Sequence, residues 1–431
     1  MIHKKNSTIQ IITLFVVLHF VLPSVDVRVN VNVNVNVVLA LSTTTPKILR
    51  IGTRPSPLAK IQANTVAKAL QTVLATKSNY EVEIQIIDIL TTGDQSPASS
   101  SSPSSSSSSS AKIQSQPLAV QSVDFTGTLD HALIHNEIDI AVHSLKDIPP
   151  SSRWRHGHGI QIASCLIRED PLDVLVVSTK ASSEKKDVCI QNLPRNARVG
   201  TSSVRRQAQL LHLRNDLELV NLRGNVGARL KALEDGTVDA LLLAAAGLNR
   251  LLSDGDADGD GDGDGGGGTG LDNGMDPNLF WKNIPSEDIL SGSCQGIVAT
   301  TCRSSDSTTL DLLREIDHRD SSIAAAAERA FLNELDSFRP TLYEESLEWI
   351  GRPPLAALMT KGEHDREHEH VDGDGDVMGW TFRGLLARPD GLTVIKTLER
   401  THGSISIEGA KALGKDQAEK LLLDAGPDFY R

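Results

Sequence analysis

No Cys-x-x-Cys pair occurs in these 431 residues. The four cysteines, Cys165, Cys189, Cys294 and Cys302, are scattered, which argues against both a cysteine zinc site and a disulfide framework. Basic charge is in deficit: 43 Lys and Arg stand against 55 Asp and Glu, for a net charge of −12. Neutralising a phosphate backbone needs the opposite balance, so nucleic acid is not an expected partner. The apolar stretch Ile11–Leu22 falls short of the roughly 20 residues that span a bilayer, so no membrane is expected for the mature chain. Neither GxxxxGK[ST] nor GxGxxG follows a strand-like run, which removes the usual nucleotide-phosphate cradles.

What is present begins with a leader. His3, Lys4 and Lys5 precede Ile11–Leu22, as in a signal-peptide h-region. From Val27 to Arg54 there is no acid, but there are Arg28, Lys47, Arg50 and Arg54, the composition of a transit peptide. A leader over 1–47 and a plastid stroma reached through the secretory route are therefore expected, with cytoplasm or mitochondrion as alternatives. Three low-complexity inserts follow: Ser-rich (95–117), Asp/Gly-rich (254–274) and acidic with His364, His368 and His370 (363–376). Their compositions cannot bury enough apolar surface to offset ordering entropy. Asp256, Asp258, Asp260 and Gly261 imitate an EF-hand start, but Gly267 stands where a bidentate Glu is needed, so a loop is expected there.

The remaining roughly 330 residues suffice for two or three cores. Strands are expected at Ile48–Gly52, Val82–Leu90, Ile138–Val142, Leu172–Val177, Ala197–Gly200 and Ala240–Ala244. Helices are expected between them at Pro57–Leu74, Thr126–His135, Ser203–Leu213 and Ala228–Glu234. This alternation predicts α/β sheets with helices on both faces and ligands at the strand C-terminal ends.

Those ends are chemically loaded. Arg54 and Ser56 open the first helix; Ser144, Lys146 and Asp147 follow the third strand; Ser203, Arg205 and Arg206 follow the fifth. Arg223 and Arg229 flank the next turn, and Arg250 follows the strand at 240–244. Guanidinium forks bind carboxylates bidentately, so the set predicts a polycarboxylate ligand. Asp147, embedded among cations, is suited to stabilising a developing cation or moving a proton at a substrate nitrogen. His143 is expected to be structural, pointing away from Ser144 in an extended segment. Gly292–Gly296 fits a G-x-C-x-G elbow, but a loop precedes it and a strand follows, the reverse of the order a cysteine hydrolase needs.

Taken in order, IGTRPSPLA, AVHSLKDIP, GTSSVRRQAQL, LRGNVGARL, DALLLAAAGLNRL and QGIVATTCR resemble porphobilinogen deaminase (hydroxymethylbilane synthase), from about Ile48 to Leu332. The resemblance implies an α/β chain with two periplasmic-binding-protein-like doubly wound domains and a small α+β domain. The implied limits are 48–162 with 297–314, then 163–296, then 318–431. It implies a monomer that joins four porphobilinogens head to tail, releasing ammonia, to a linear polypyrrole in tetrapyrrole (heme and chlorophyll) biosynthesis. By motif, Arg54, Ser56, Arg205, Arg206, Arg223, Arg229, Arg250 and Lys146 hold side-chain carboxylates, and Asp147 is the catalytic acid/base. Ser144, Ser203 and Gln295 are further contacts. The family carries a dipyrromethane cofactor on one cysteine of the last domain. Here the stretch 337–351 departs from the pattern, and Gly351 stands at the aligned position. A non-catalytic porphobilinogen- or polycarboxylate-binding paralogue is the alternative.

Overall fold

The structure is a computed structural model that describes residues 47–76, 82–91, 126–150, 154, 159–178, 188–253, 279–337, 354–362, 379–426 and 429. Apart from Lys47 and Ser337, the leader, the three inserts and the atypical stretch with Gly351 lie outside these residues.

The chain opens with β1 (Lys47–Thr53), α1 (Pro57–Thr76), β2 (Val82–Asp88), α2 (Gly127–Ile134), β3 (Ile140–Ser144) and β4 (Ile160–Cys165). Next come β5 (Asp173–Ser178), β6 (Arg198–Gly200), α3 (Val204–Leu213), β7 (Glu218–Val220), α4 (Val226–Glu234), β8 (Ala240–Ala244), α5 (Ala245–Ser253) and β9 (Leu279–Ile284). It closes with β10 (Val298–Arg303), α6 (Ser307–Arg314), α7 (Arg319–Ser337), β11 (Leu355–Lys361), β12 (Trp380–Ala387), β13 (Val394–Thr401) and α8 (Ile407–Ala425).

Two mixed sheets carry the α/β part, in the orders β2-β1-β3-β10-β4 and β7-β6-β8-β5-β9. In each, three parallel strands are followed by two antiparallel neighbours. β3 and β8 are buried almost throughout, as strands covered on both faces must be. The expected doubly wound sheets are thus present. β4 straddles the expected limit at 162/163.

The two sheets repeat one local design. Arg50 donates Nε and Nη2 to the Asp139 carboxylate at 3.0 and 2.9 Å, and Arg198 does the same with Asp239 at 3.1 and 2.7 Å. In both cases the carboxylate also accepts the arginine's own backbone N–H. The arginine hydrogen bonds hold both carboxyls below the usual carboxylate range against the opposing effect of partial burial.

The third sheet is antiparallel, β11-β12-β13. One face packs Ala357, Met359, Phe382 and Leu386 against Phe331 and Leu335 of α7 and Leu421 of α8. The other face sets Ala356, Leu358 and Leu385 on Ala208 of α3 and Leu290. The two helices approach closely: a Cβ on Gly414 of α8 would lie 2.0 Å from the Ala327 carbonyl oxygen.

The chain crosses between the first two sheets twice, at 166–172 and at 285–297, and the crossings lie side by side. Glu169 N–H donates to Gly296 O at 3.1 Å, and Arg168 Nε donates to Gln295 O at 2.8 Å. Gly296 has φ +89°, and a Cβ there would sit 2.2 Å from Glu169 O. Only glycine permits that approach.

Candidate functional site

The parallel strands release their ends toward the crossings. After β1, Arg54 leads to Ser56, whose Oγ accepts from Ala59 N–H at 3.4 Å and caps α1, with Pro57 at the first helical position. After β3 the chain makes a 3-10 turn, Leu145–Asp147. Ser144 exchanges hydrogen bonds with the buried Gln62 amide at 2.9 and 3.2 Å. Its neighbour His143 points the other way, its Nε2 3.1 Å from Thr301 Oγ1. Burial, and then the Arg54 charge, push His143 down to about 4, so it is neutral at pH 7.

Lys146 Nζ donates to Gln295 Oε1 at 3.4 Å. Gln295 is buried, and its Nε2 donates to Pro171 O at 2.8 Å and to Asp173 Oδ1 at 2.9 Å. Asp173, fully buried at the start of β5, is a hub. Arg205 Nη1 donates to Oδ2 at 2.8 Å and Arg206 Nη2 to Oδ1 at 2.6 Å. Burial raises this carboxyl, but the two guanidinium charges outweigh it and hold it far below the usual range. Arg205 also reaches Leu290 O at 2.6 Å and Arg206 reaches Leu242 O at 3.0 Å, while Arg206 Nε is buried without a partner. Asp173 was absent from the sequence-based set. Its only local signal is an acid opening an otherwise apolar strand.

The site carries an excess of positive charge. Desolvation, reinforced by Arg206, lowers Arg229 to about 10, and its Nε donates to Gly224 O at 2.9 Å. Desolvation also lowers Arg250, which donates to Gly296 O at 2.7 Å. Arg250 lies on α5, not at a strand end, because the chain passes from β8 into helix without a turn. Lys146 keeps an exposed surface, yet the protein beside it withdraws water from its ammonium. That desolvation lowers its ammonium to about 8, with Asp147 opposing and Arg205 and Arg206 assisting. Asp147 is half-buried on the same turn. Ser203 stands at the N-terminus of α3 without a side-chain cap bond, and Arg223 is exposed beyond β7. Among the described residues no hydrogen bond or ion pair ties Arg223 to the others.

The thiols do not fit the thioether expected from the resemblance. Cys165, Cys294 and Cys302 are buried; desolvation pushes Cys165 up to about 12 and Cys302 up to about 11, and raises Cys294 further. A thiol at about 11 is ionised at pH 7 to only about one part in ten thousand, and the thiolate is the nucleophile. Cys189 precedes Ile190, whose carbonyl accepts from Arg214 just beyond the C-terminus of α3. That is about 15 Å of helix from Ser203.

A family model described as porphobilinogen deaminase, dipyromethane cofactor binding domain, matches residues 49–311. The chloroplastic porphobilinogen deaminase of Pisum sativum is 34% identical over 387 residues, covering 89% of this chain and 83% of its own length. The porphobilinogen deaminase of Pelotomaculum thermopropionicum is 33% identical over 384 residues, covering 89% and 96%. Among solved structures, an ancestral arginine-binding protein bound to arginine aligns with 70% of this chain and 98% of its own at TM-score 0.32 and 15% identity.

Proposed function

The chain belongs to the porphobilinogen deaminase family, and on that premise we propose that it is a hydroxymethylbilane synthase. It condenses four porphobilinogens head to tail, releasing ammonia at each addition. The observation that carries this reading is the Lys146–Asp147 turn set against Gln295, whose amide shares Asp173 with Arg205 and Arg206.

In this reading the Asp147 carboxylate accepts the pyrrole N–H and stabilises the cation that develops as ammonia leaves; it then takes the proton released when the rings join. Each pyrrole brings an acetate and a propionate. Arg54, Ser56, Lys146, Arg223, Arg229 and Arg250 hold these carboxylates, with Ser144, Ser203 and Gln295 as further polar contacts. Arg205 and Arg206 contribute their charge from positions fixed by Asp173. No step is routed through a dipyrromethane, because none of the four thiols fits its attachment; the growing pyrrole chain is held by the cations.

That same thiol chemistry favours a second reading, a non-catalytic protein that binds porphobilinogen or a related polycarboxylate. The two separate in one assay of porphobilinogen loss and ammonia release. The synthase reading expects turnover that falls by about a thousandfold in Asp147→Asn. Binding without turnover selects the second reading, and neither binding nor turnover defeats both.

The remaining assignments belong to the same proposal: a monomer acting in tetrapyrrole biosynthesis in the plastid stroma, with domain limits near those expected. The name of the Pisum sativum relative supports the plastid. The domain limits are supported by one sheet falling in each of the three segments, save that β4 of the first sheet runs past 162.

A further inference from the structure

The 3-10 turn that carries Lys146 and Asp147 is poorly supplied with its own backbone donors. Ile148 N–H is used within the turn, on Leu145 O at 3.2 Å, and Pro149 and Pro150 have no N–H to give. The carbonyls of Ile148, which is 2% exposed, and of half-buried Pro149 therefore need outside donors. Arg329 of α7 supplies them: Nη1 donates to Ile148 O at 3.1 Å and Nη2 to Pro149 O at 3.0 Å. Among the described residues Arg329 has no carboxylate partner, although desolvation works against its charge. The guanidinium is thus committed to two backbone carbonyls of the turn rather than to a counter-charge.

The preceding residue serves the neighbouring turn. Fully buried Glu328 accepts from Cys294 N–H, beside Gln295, and from Met359 N–H at 2.8 Å in the third sheet. The two turns are themselves joined by Leu145 N–H to Ile297 O at 2.9 Å and by Lys146 to Gln295. Two consecutive side chains of α7 thus hold the two halves of the site.

We propose that Arg329 is a positioning residue, fixing the Lys146–Asp147 turn from the third-domain helix through the Ile148 and Pro149 carbonyls. Naming Asp147 as the group positioned rests on the proposed function; the contact itself does not.

The test compares the full-length chain with Arg329→Gln and Arg329→Lys, without substrate. It reads amide hydrogen exchange at Leu145 and Ile148, exchange in β12, and the titration of the Lys146 amine. Arg329→Gln is expected to speed exchange at Leu145 and Ile148 at least about tenfold with β12 within about twofold of wild type. The Lys146 amine is expected to titrate closer to its ordinary value, and Arg329→Lys, which keeps a charged donor on a long stem where Gln has a shorter neutral one, to fall between the two. Unchanged exchange at Leu145 and Ile148, or equal acceleration in β12, overturns the proposal. Failure of the wild type to bind porphobilinogen would defeat the function while leaving this result intact.

Discussion

At the scale of single residues, Lys146 makes the site sensitive to pH. Desolvation, opposed by Asp147 and assisted by Arg206 and Arg205, lowers its ammonium from 10.5 to about 8 in the folded chain. Between pH 8 and 10.5 the unfolded chain holds the extra proton, so this group's contribution to stability rises with pH across that window. Anion binding moves the opposite way. Porphobilinogen affinity, measured by calorimetry, should fall about five- to tenfold between pH 7 and pH 9.5 as the charge is lost, and Lys146→Met should flatten the profile. The cations were legible in the sequence because Arg and Lys recur where apolar strand-like runs end, and an anionic ligand is what such a set can share. Asp173 was not. A single acid opening an apolar strand looks like a boundary residue until α3 brings two guanidinium groups onto it. His143 was legible as structural from the alternation of an extended chain alone.

At the scale of elements, the strands and helices that sequence could place were those with clear periodicity and caps. β3 and β8 were visible as short apolar runs, although β3 lies two residues later than expected, starting at Ile140 rather than Ile138. The Arg50–Asp139 and Arg198–Asp239 pairs were hidden, because partners 89 and 41 residues apart have no shared local signal. The duplication they mark also shows where the sheets diverge: β3 ends in the 3-10 turn with Asp147, whereas β8 runs directly into α5 with Arg250. Gly296 tests the crossing. A Cβ there meets the Glu169 carbonyl at 2.2 Å at φ +89°, so Gly296→Ala should lower stability by about 2–4 kcal/mol in chemical denaturation. Gly236 has φ +71° but open space around its Cβ position, and Gly236→Ala should cost only about 1 kcal/mol.

At the scale of the molecule, a buried ion pair is one of the contacts that join the third sheet and its helices to the crossings. Arg168 Nη1 lies 2.6 Å from Glu328 Oε1, with side-chain exposures of 12% and 0%. Glu328→Gln leaves Arg168 uncompensated and should reduce unfolding free energy by about 3 kcal/mol, read from the denaturant midpoint. The family's overall plan was legible in its ordered motifs. The fate of its cofactor anchor was legible too, as Gly351 at the aligned position; what packing alone reveals is that Cys165, Cys294 and Cys302 are kept protonated by burial. On the proposed function, the cations and Asp147 grow a pyrrole chain without a thioether. Native mass spectrometry of the full-length chain after incubation with porphobilinogen tests it most directly. Expected are complexes carrying a growing series of linked pyrroles that leave an unmodified chain on denaturation. A chain carrying no pyrrole, or only unlinked porphobilinogen, would contradict it.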